Sequence, residues 1–199
     1  MLLPRVCGGC GAAGGPVCAG CSAQLEPAGP VPAPPGAERA VAVVRFEGAG
    51  RNLVLGLKYR NRRAAIGPLA AAMAQAVVGQ TFDVVTWAPT SAARRRARGF
   101  DQARLLAQAV GRQLGCPCWG LLQRRPGPPQ TGRDRRDRHD RASGPAFVAR
   151  GVVSGRVLLV DDVITTGATV AAATAVLRRA GAGSVVVVAA AATPLKVAR

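Results

Sequence analysis

The sequence predicts an α/β fold, in which helices flank a mostly parallel sheet, preceded by a small cysteine-rich unit. Three observations support this prediction. Short apolar runs alternate with Ala-rich segments of helical periodicity along most of the 199 residues, as in chains that form parallel sheets. One apolar run ends in two adjacent acidic residues, and four closely spaced cysteines precede the first run. A chain of this length can form one such domain with its own core and a small appendage.

The N-terminal cysteines form two Cys-x-x-Cys units, one made by Cys7 and Cys10 and the other by Cys18 and Cys21. In a reducing compartment this spacing is typical of a tetrahedral four-cysteine zinc site rather than of disulfides. The many glycines allow tight turns, and so short a segment lacks a core without a metal. We therefore expect residues 1–25 to form a knuckle around a structural Zn²⁺. The alternative is a set of cysteines that no longer binds metal.

The main domain is predicted to span residues 39–199, after a Pro-rich segment at 26–38 with the composition of a stiff linker. Apolar and β-branched residues predict strands at 41–46, 83–87, 157–161 and 185–190. Helical spacing predicts helices at 53–59, 66–78, 100–114 and 168–180. Pro68 lies near the start of the second helix, and Gly115 is expected to end the third.

Residues 123–143 are rich in Pro, Gly and charged residues and lack apolar periodicity. They predict a long loop, and loops of this length within a compact domain are usually lids or binding loops. Arginines alternate with aspartates at 133–141, a pattern that also fits a solvated loop without a lid function.

Residues 157–169 carry the strongest functional signal. Four apolar residues predict a buried strand, and Asp161 and Asp162 follow at its carboxyl end, where open α/β sheets bind ligands. Residues 165–169 then form a Thr- and Gly-containing turn into a helix, whose first backbone N–H groups suit a phosphate. The two carboxylates suit the hydroxyl donors of a ribose. The alternative is an ordinary strand end with a solvated Asp pair and a helix cap.

A second candidate segment follows the predicted strand at 83–87. Guanidinium groups beside a strand-end loop can hold a pyrophosphate through paired hydrogen bonds. A solvated basic helix face is the alternative. The residues expected to contact pyrophosphate are Pro89, Thr90, Ser91, Arg94 and Arg98, with Arg95 and Arg96 beside them.

The order of residues in 157–169 resembles the phosphoribosyl pyrophosphate (PRPP) signature of type I phosphoribosyltransferases. The resemblance implies a type I phosphoribosyltransferase-like sheet with a small N-terminal four-cysteine zinc knuckle. It also implies that the catalytic residues Asp161 and Asp162 lie over the ribose hydroxyls. The residues implied for the 5′-phosphate loop are Thr165, Thr166, Gly167, Ala168 and Thr169.

Residues 94–103, Arg-x-x-x-Arg-Gly-Phe-Asp-Gln-Ala, are similar to a stretch of the ComF (competence protein F, GntX-like) family, which usually has Asn in place of Asp101. The Leu-Lys-Tyr element at 57–59, the Pro-Gln-Thr-Gly stretch at 129–132 and the paired Cys-x-x-Cys units agree. The resemblance implies binding of PRPP with Mg²⁺ and phosphoribosyl transfer to a nitrogen acceptor. Its alternative implication is a non-catalytic PRPP- or nucleotide-binding accessory protein in DNA uptake that contacts single-stranded DNA or a DNA-handling protein.

The formal net charge is +17, from 27 basic and 10 acidic residues. Such a balance attracts polyanions, whether nucleic acid or a multiply charged phosphate ligand, although a basic surface can also serve solubility alone. Aromatic residues make up 4% of the chain, which weakens the case for reading bases by stacking. No signal peptide or membrane insertion is predicted, so a cytoplasmic protein is expected, with no prediction of its oligomeric state.

Overall fold

The computed structural model describes residues 6–125 and 146–194. Its strands are β1 (Arg39–Arg45), β2 (Val84–Trp87), β3 (Leu122–Arg124), β4 (Phe147–Ala149), β5 (Arg156–Ile164) and β6 (Ser184–Ala192). Its helices are α1 (Ala19–Ala23), α2 (Gly48–Tyr59), α3 (Ile66–Gln75), α4 (Ala92–Arg98), α5 (Gln102–Leu114) and α6 (Ala168–Arg179), with a 3₁₀ turn at Arg63–Ala65. None of the described helices is long and apolar enough to cross a membrane.

Four strands form one parallel sheet in the order β1-β6-β5-β2, and β3 pairs with β4 in a small antiparallel ribbon. The two central strands, β5 and β6, are almost continuously apolar because helices cover both of their faces. The predicted class, an α/β fold with a parallel sheet flanked by helices, is therefore confirmed.

Side chains alternate across β5 and so join two separate core layers. Leu158 and Val160 pack with residues of α3 and α5, such as Met73 and Val110. Leu159 points to the other face, where it packs with residues of α6. With helices holding it from both sides, β5 is a rigid support for whatever follows its last residues.

Several boundaries differ from the prediction. The Arg-rich segment after β2 forms helix α4 rather than a loop, because Ser91 caps its N-terminus and Gly99 adopts a left-handed conformation at its C-terminus. Strand β5 continues past the acidic pair to Ile164, since its parallel pairing with β6 continues. Residues 123 and 124 belong to β3 instead of the predicted long loop, and most of that loop, including 133–141, lies outside the described residues.

The N-terminal segment packs against strand β1 of the parallel sheet and against the end of helix α2. Backbone N–H groups of Ala28 and Arg45 donate to Val43 and Glu26 respectively, so residues 26–28 run antiparallel along the outer edge of β1. Further upstream, Arg62 Nη1 donates to the Gly9 carbonyl oxygen over 2.7 Å. The cysteine-containing unit therefore lies directly on the end of α2.

Candidate functional site

A cavity of about 330 Å³ opens at the carboxyl ends of the parallel strands, where α/β folds of this type bind ligands. It lies between the end of β5, the loop after β2 and the last turn of α2. The structure brings these site residues predicted from the sequence to its wall: Pro89, Thr90, Arg94, Arg98, Asp161, Asp162, Thr165 and Thr169. Segments more than 60 positions apart in the sequence thus contribute to one site.

The two acidic residues occupy different environments although they are adjacent on β5. Asp161 is buried, and its Oδ1 accepts a hydrogen bond from the Asp162 backbone N–H at 2.8 Å. Burial, followed by the neighbouring Asp162 charge, raises the pKa of Asp161 well above its usual value. Asp162 instead pairs with Lys58, whose Nζ lies 3.0 Å from its Oδ1. The acidic pair therefore consists of one carboxylate that is paired with a cation and one that ionises reluctantly.

The turn after β5 has the geometry of a phosphate loop. Gly167 adopts φ 76° at the N-cap of α6, a left-handed conformation that glycine tolerates best. Gly167 offers no capping side chain, and the first turn of the helix carries no acidic residue. The Thr166 hydroxyl oxygen accepts the Ala168 backbone N–H at 3.4 Å, and the N–H groups that follow are suited to an anion. Thr165 and Thr169 face the main cavity, and Thr166, Gly167 and Ala168 line a small adjoining one.

Helix α4 places only part of the predicted arginine cluster at the cavity. Arg94 and Arg98 are one helical turn apart and both line it, whereas Arg95 and Arg96 do not. Arg98 is held from two sides, because it donates to the hydroxyl of Tyr59 over 3.1 Å and to the side chain of Gln102 over 3.1 Å. Its guanidinium carbon also lies 4.8 Å from the centre of the Tyr59 ring.

Ser91 does not line the cavity, although the sequence predicted a ligand contact there. Its hydroxyl oxygen accepts the backbone N–H of Arg94 at 3.3 Å and so caps α4. The residue contributes by fixing the start of the helix that carries the two cavity arginines.

Asp101 was not among the predicted site residues, yet it lies in the wall of the cavity. It is buried, and its carboxylate oxygens accept the backbone N–H groups of Thr90 at 3.0 Å and Arg104 at 3.4 Å. Burial is the main cause that raises the pKa of Asp101, and the Asp162 charge adds to it. The available signal was its place directly before an amphipathic helix, an N-cap position where Asp is favoured.

The four N-terminal cysteines converge as their spacing predicted. The Sγ atoms of Cys7, Cys10, Cys18 and Cys21 all lie within 4.8 Å of one another, with 3.7 Å between those of Cys10 and Cys18. Tetrahedral Zn–S bonds of about 2.3 Å require neighbouring sulfurs to be about 3.8 Å apart. The cluster therefore has the dimensions of a four-thiolate metal site.

Backbone groups around the cluster favour thiolate at one position. Burial of Cys7 opposes its ionisation, but N–H groups, that of Cys18 first among them, outweigh burial and lower its pKa to about 6. For Cys21, removal from water and hydrogen bonds that its thiol donates to the other three cysteine side chains raise the pKa to about 12. A bound metal ion would therefore displace protons from part of the cluster.

Comparisons with known proteins give partial likenesses. No protein-family model matches the chain, and no curated protein is similar to it. A solved structure described as the allosteric regulatory enzyme of purine biosynthesis is 28% identical, with a TM-score of 0.45, over 64% of this chain and 26% of its own. Glutamine PRPP amidotransferase from B. subtilis, complexed with ADP and GMP, is 27% identical with the same TM-score, over 63% and 26%.

Orotate phosphoribosyltransferase from Aeropyrum pernix is 21% identical, with a TM-score of 0.36, over 74% of this chain and 67% of its own. The present chain thus spans about a quarter of the length of the first two proteins. At these TM-scores, the likenesses alone do not assign an activity to this chain.

Proposed function

We propose that this protein binds PRPP with Mg²⁺ and transfers its phosphoribosyl group to a nitrogen acceptor, releasing pyrophosphate. One observation carries this proposal. One cavity combines two adjacent carboxylates with two guanidinium groups, and the turn into the N-terminus of α6 adjoins it. These are the partners that a ribose diol, a 5′-phosphate and a pyrophosphate each need.

The roles follow from the order of groups around the cavity. Asp161 and Asp162 accept hydrogen bonds from the ribose 2′- and 3′-hydroxyls, and residues 165–169 hold the 5′-phosphate. Pro89, Thr90, Arg94 and Arg98 hold the pyrophosphate on the opposite side, with Ser91 fixing the helix that carries both arginines. Lys58 pairs with Asp162 and also lines the cavity, so we expect its ammonium group to contact a phosphate of the bound ligand.

The donor set fits Mg²⁺ that arrives with its substrate. The cavity offers carboxylate oxygens, but Asp162 is already engaged by Lys58, so the described residues form no dedicated cage of protein ligands. Mg²⁺ usually keeps waters and binds mainly through one or two carboxylates and substrate phosphates. When bound, the ion would neutralise charge on the pyrophosphate as it leaves.

Transfer requires the bond between ribose C1 and the pyrophosphate oxygen to break while a C1–N bond forms. The electron pair of the broken bond stays on the pyrophosphate, where Arg94 and Arg98 stabilise the added charge. Positive charge develops on the ribose ring, and the nearby carboxylates of Asp161 and Asp162 favour it. Fixed placement of the three parts of PRPP supplies the remainder of the rate enhancement.

Incubation of the protein with PRPP, Mg²⁺ and a panel of nucleobases and simple amines tests this activity. We expect pyrophosphate release that depends on one acceptor and is lost in the Asp161→Asn/Asp162→Asn variant. PRPP binding without release for any acceptor would exclude catalysis with these acceptors while retaining the binding function. Absence of PRPP binding in calorimetry would overturn the proposal as a whole.

For the N-terminal knuckle we propose one structural Zn²⁺ per chain, held by Cys7, Cys10, Cys18 and Cys21. Backbone N–H groups directed at the sulfurs support it, since Cys18 donates to Cys7 at 3.3 Å and Cys21 donates to Cys18 at 3.4 Å. Cysteines that are not joined in disulfides persist in reducing compartments, which supports a cytoplasmic location. Because protons compete for the thiolates, zinc affinity should fall as the pH is lowered.

A second candidate function is the accessory role in DNA uptake that the ComF resemblance implies. The observation that favours it is the exposed basic surface of α4, where Arg95 and Arg96 are exposed and do not line the cavity that holds the acidic pair. Such a surface can attract a nucleic-acid backbone. Single-strand binding that persists when the cavity residues are replaced would favour this function over catalysis.

A further inference from the structure

Gln102, the first residue of α5, is a polar side chain whose burial is not explained by the roles proposed above. It is 1% exposed and lines the same cavity as Asp161 and Asp162. Its amide nitrogen Nε2 has no hydrogen-bond partner among residues 6–125 and 146–194. Buried amide groups in folded proteins are nearly always paired. An unpaired donor in a cavity wall therefore indicates a partner that arrives with the ligand.

The other end of the same amide group is already used. Gln102 Oε1 accepts a hydrogen bond from Arg98 Nη1 at 3.1 Å, while Arg98 Nη2 donates to the Tyr59 hydroxyl. Two partners on two different helices thus fix the plane of the guanidinium. Because Arg98 also lines the cavity, the hydrogen bond to Gln102 determines which of its N–H groups remain free for a ligand.

The preceding residue, Asp101, holds a different segment of the cavity wall. Asp101 accepts the Thr90 backbone N–H at 3.0 Å and so holds the loop after β2. Two consecutive residues at the start of α5 therefore fix both structures expected to surround a pyrophosphate, the strand-end loop and the arginine of α4.

Building on the proposed function, we propose that Gln102 is a pyrophosphate-recognition residue. Its Oε1 positions Arg98, and its Nε2 donates a hydrogen bond to a phosphate oxygen of the pyrophosphate on ribose C1. A neutral amide can accept from a guanidinium and donate to a phosphate at the same time, whereas a carboxylate has no donor and an aliphatic side chain has neither group. The ligand that benefits is a sugar phosphate with a diphosphate at C1, not the sugar phosphate alone.

The test compares PRPP with ribose 5-phosphate, each with Mg²⁺, by titration calorimetry on the full chain. Gln102→Met keeps the length of the side chain and removes both polar ends. Gln102→Glu keeps an acceptor for Arg98 and replaces the donor by an acceptor. Gln113→Met, at an exposed position of the same helix, is the matched control, and circular dichroism verifies that each variant is folded.

We expect both Gln102 variants to weaken PRPP binding by about tenfold or more, as for the loss of one hydrogen bond to a charged group. The affinity for ribose 5-phosphate should change by less than about twofold. The Gln113 variant should match wild type. If Gln102→Met lowers the affinities for PRPP and for ribose 5-phosphate equally, Gln102 has only a structural role and the proposal is overturned. Retained PRPP affinity in Gln102→Glu would show that anchoring Arg98 suffices, and would overturn the direct hydrogen bond to the pyrophosphate.

The same titrations distinguish a failure of the proposed PRPP binding from a failure of the role proposed for Gln102. A wild-type protein that binds neither ligand would overturn PRPP binding itself, and the role of Gln102 with it. Wild-type binding of PRPP with unchanged selectivity in both variants would overturn the role of Gln102 alone. If one variant fails to fold, the other still decides between these outcomes.

Discussion

The cysteine knuckle and the cavity at the end of β5 are built in opposite ways. The knuckle takes four identical ligands from 15 consecutive residues, 7–21, and its geometry is complete when they meet. The cavity takes different groups from α2, α4, α5 and β5, and each contacts a different part of the expected ligand. A metal site of this kind should therefore be lost when one ligand is lost, whereas the cavity should lose affinity in steps.

The largest expected effect tests the knuckle. Cys10→Ser removes one of four thiolates, so we expect the zinc content to fall from about one ion per chain to near zero. Structural zinc in small domains contributes on the order of 10 kcal/mol, and the knuckle should become sensitive to proteolysis. Elemental analysis and limited proteolysis measure these effects. Cys118→Ser, outside the cluster, is the control, and an unchanged zinc content in Cys10→Ser would contradict the four-thiolate site.

The acidic pair should give the largest effect in the cavity. Asp161→Asn with Asp162→Asn removes two carboxyl acceptors from the ribose hydroxyls, and a hydrogen bond to an ionised carboxylate is worth about 1.5–3 kcal/mol. PRPP affinity should fall by roughly a hundredfold or more, as calorimetry would measure. Glu47→Gln, an exposed change outside the cavity, should leave affinity unchanged. Equal PRPP affinity in the double variant and in wild type would contradict the proposal that the acidic pair binds the ribose hydroxyls.

The arginines of α4 should show a smaller and selective effect. Arg94→Ala with Arg98→Ala should lower the affinity for PRPP much more than the affinity for ribose 5-phosphate, because only PRPP carries a pyrophosphate. Arg96→Ala, on the same helix at an exposed position that does not line the cavity, is the matched control for each single replacement, and Arg95→Ala with Arg96→Ala is the control for the pair. If the helix serves DNA instead, both pairs should lower the salt dependence of single-strand binding by roughly 0.7 in log–log slope for each phosphate that is no longer neutralised. That result with unchanged PRPP binding would favour the accessory role.

The smallest expected effect concerns stability. Burial and the Asp162 charge raise the pKa of Asp161 in the folded state, so the folded protein binds more protons than the unfolded chain between the ordinary and the raised value. Ionisation of this group therefore lowers stability as the pH rises through that window. Lys58 and Asp101 also face the pair, and the Lys58 charge opposes the shift while the Asp101 charge adds to it.

Asp161→Asn cannot ionise and so removes this destabilisation. We therefore expect its melting temperature to exceed that of wild type by an amount that grows as the pH rises above the ordinary pKa of an aspartic acid. The difference should shrink as the pH approaches 4. Thermal unfolding followed across this pH range measures it. A difference that does not grow with pH would show that ionisation of Asp161 is not its cause.

The two regions also differ in how far the sequence predicted them. The knuckle ligands and the strand, acidic pair and turn of 157–169 follow from local spacing, and the structure has the predicted parallel sheet. The contacts of Lys58 with Asp162 and of Arg98 with Tyr59 join residues 104 and 39 positions apart, and no local pattern encodes such pairs. The ribbon of β3 and β4 was missed because strands of three residues are too short to show an alternation.

Helix α4 was predicted only as the alternative of a solvated basic helix face, for a different reason. Its caps, Ser91 and Gly99, are visible in the sequence, but seven residues with four arginines show no apolar face from which a helix is usually recognised. The correction matters for the site, since helical spacing separates Arg94 and Arg98 from Arg95 and Arg96.

The contact between the knuckle and α2 limits how these parts can be exchanged between proteins. Gly8 and Gly56 meet backbone to backbone, and a Cβ added at Gly56 would overlap the Gly8 carbonyl oxygen. An alanine at that one position would force the two units apart without touching a cysteine or a cavity residue. The knuckle therefore cannot be transferred to another protein by itself. A chimera that carries it must also supply a helix with glycine at the position that Gly56 occupies here.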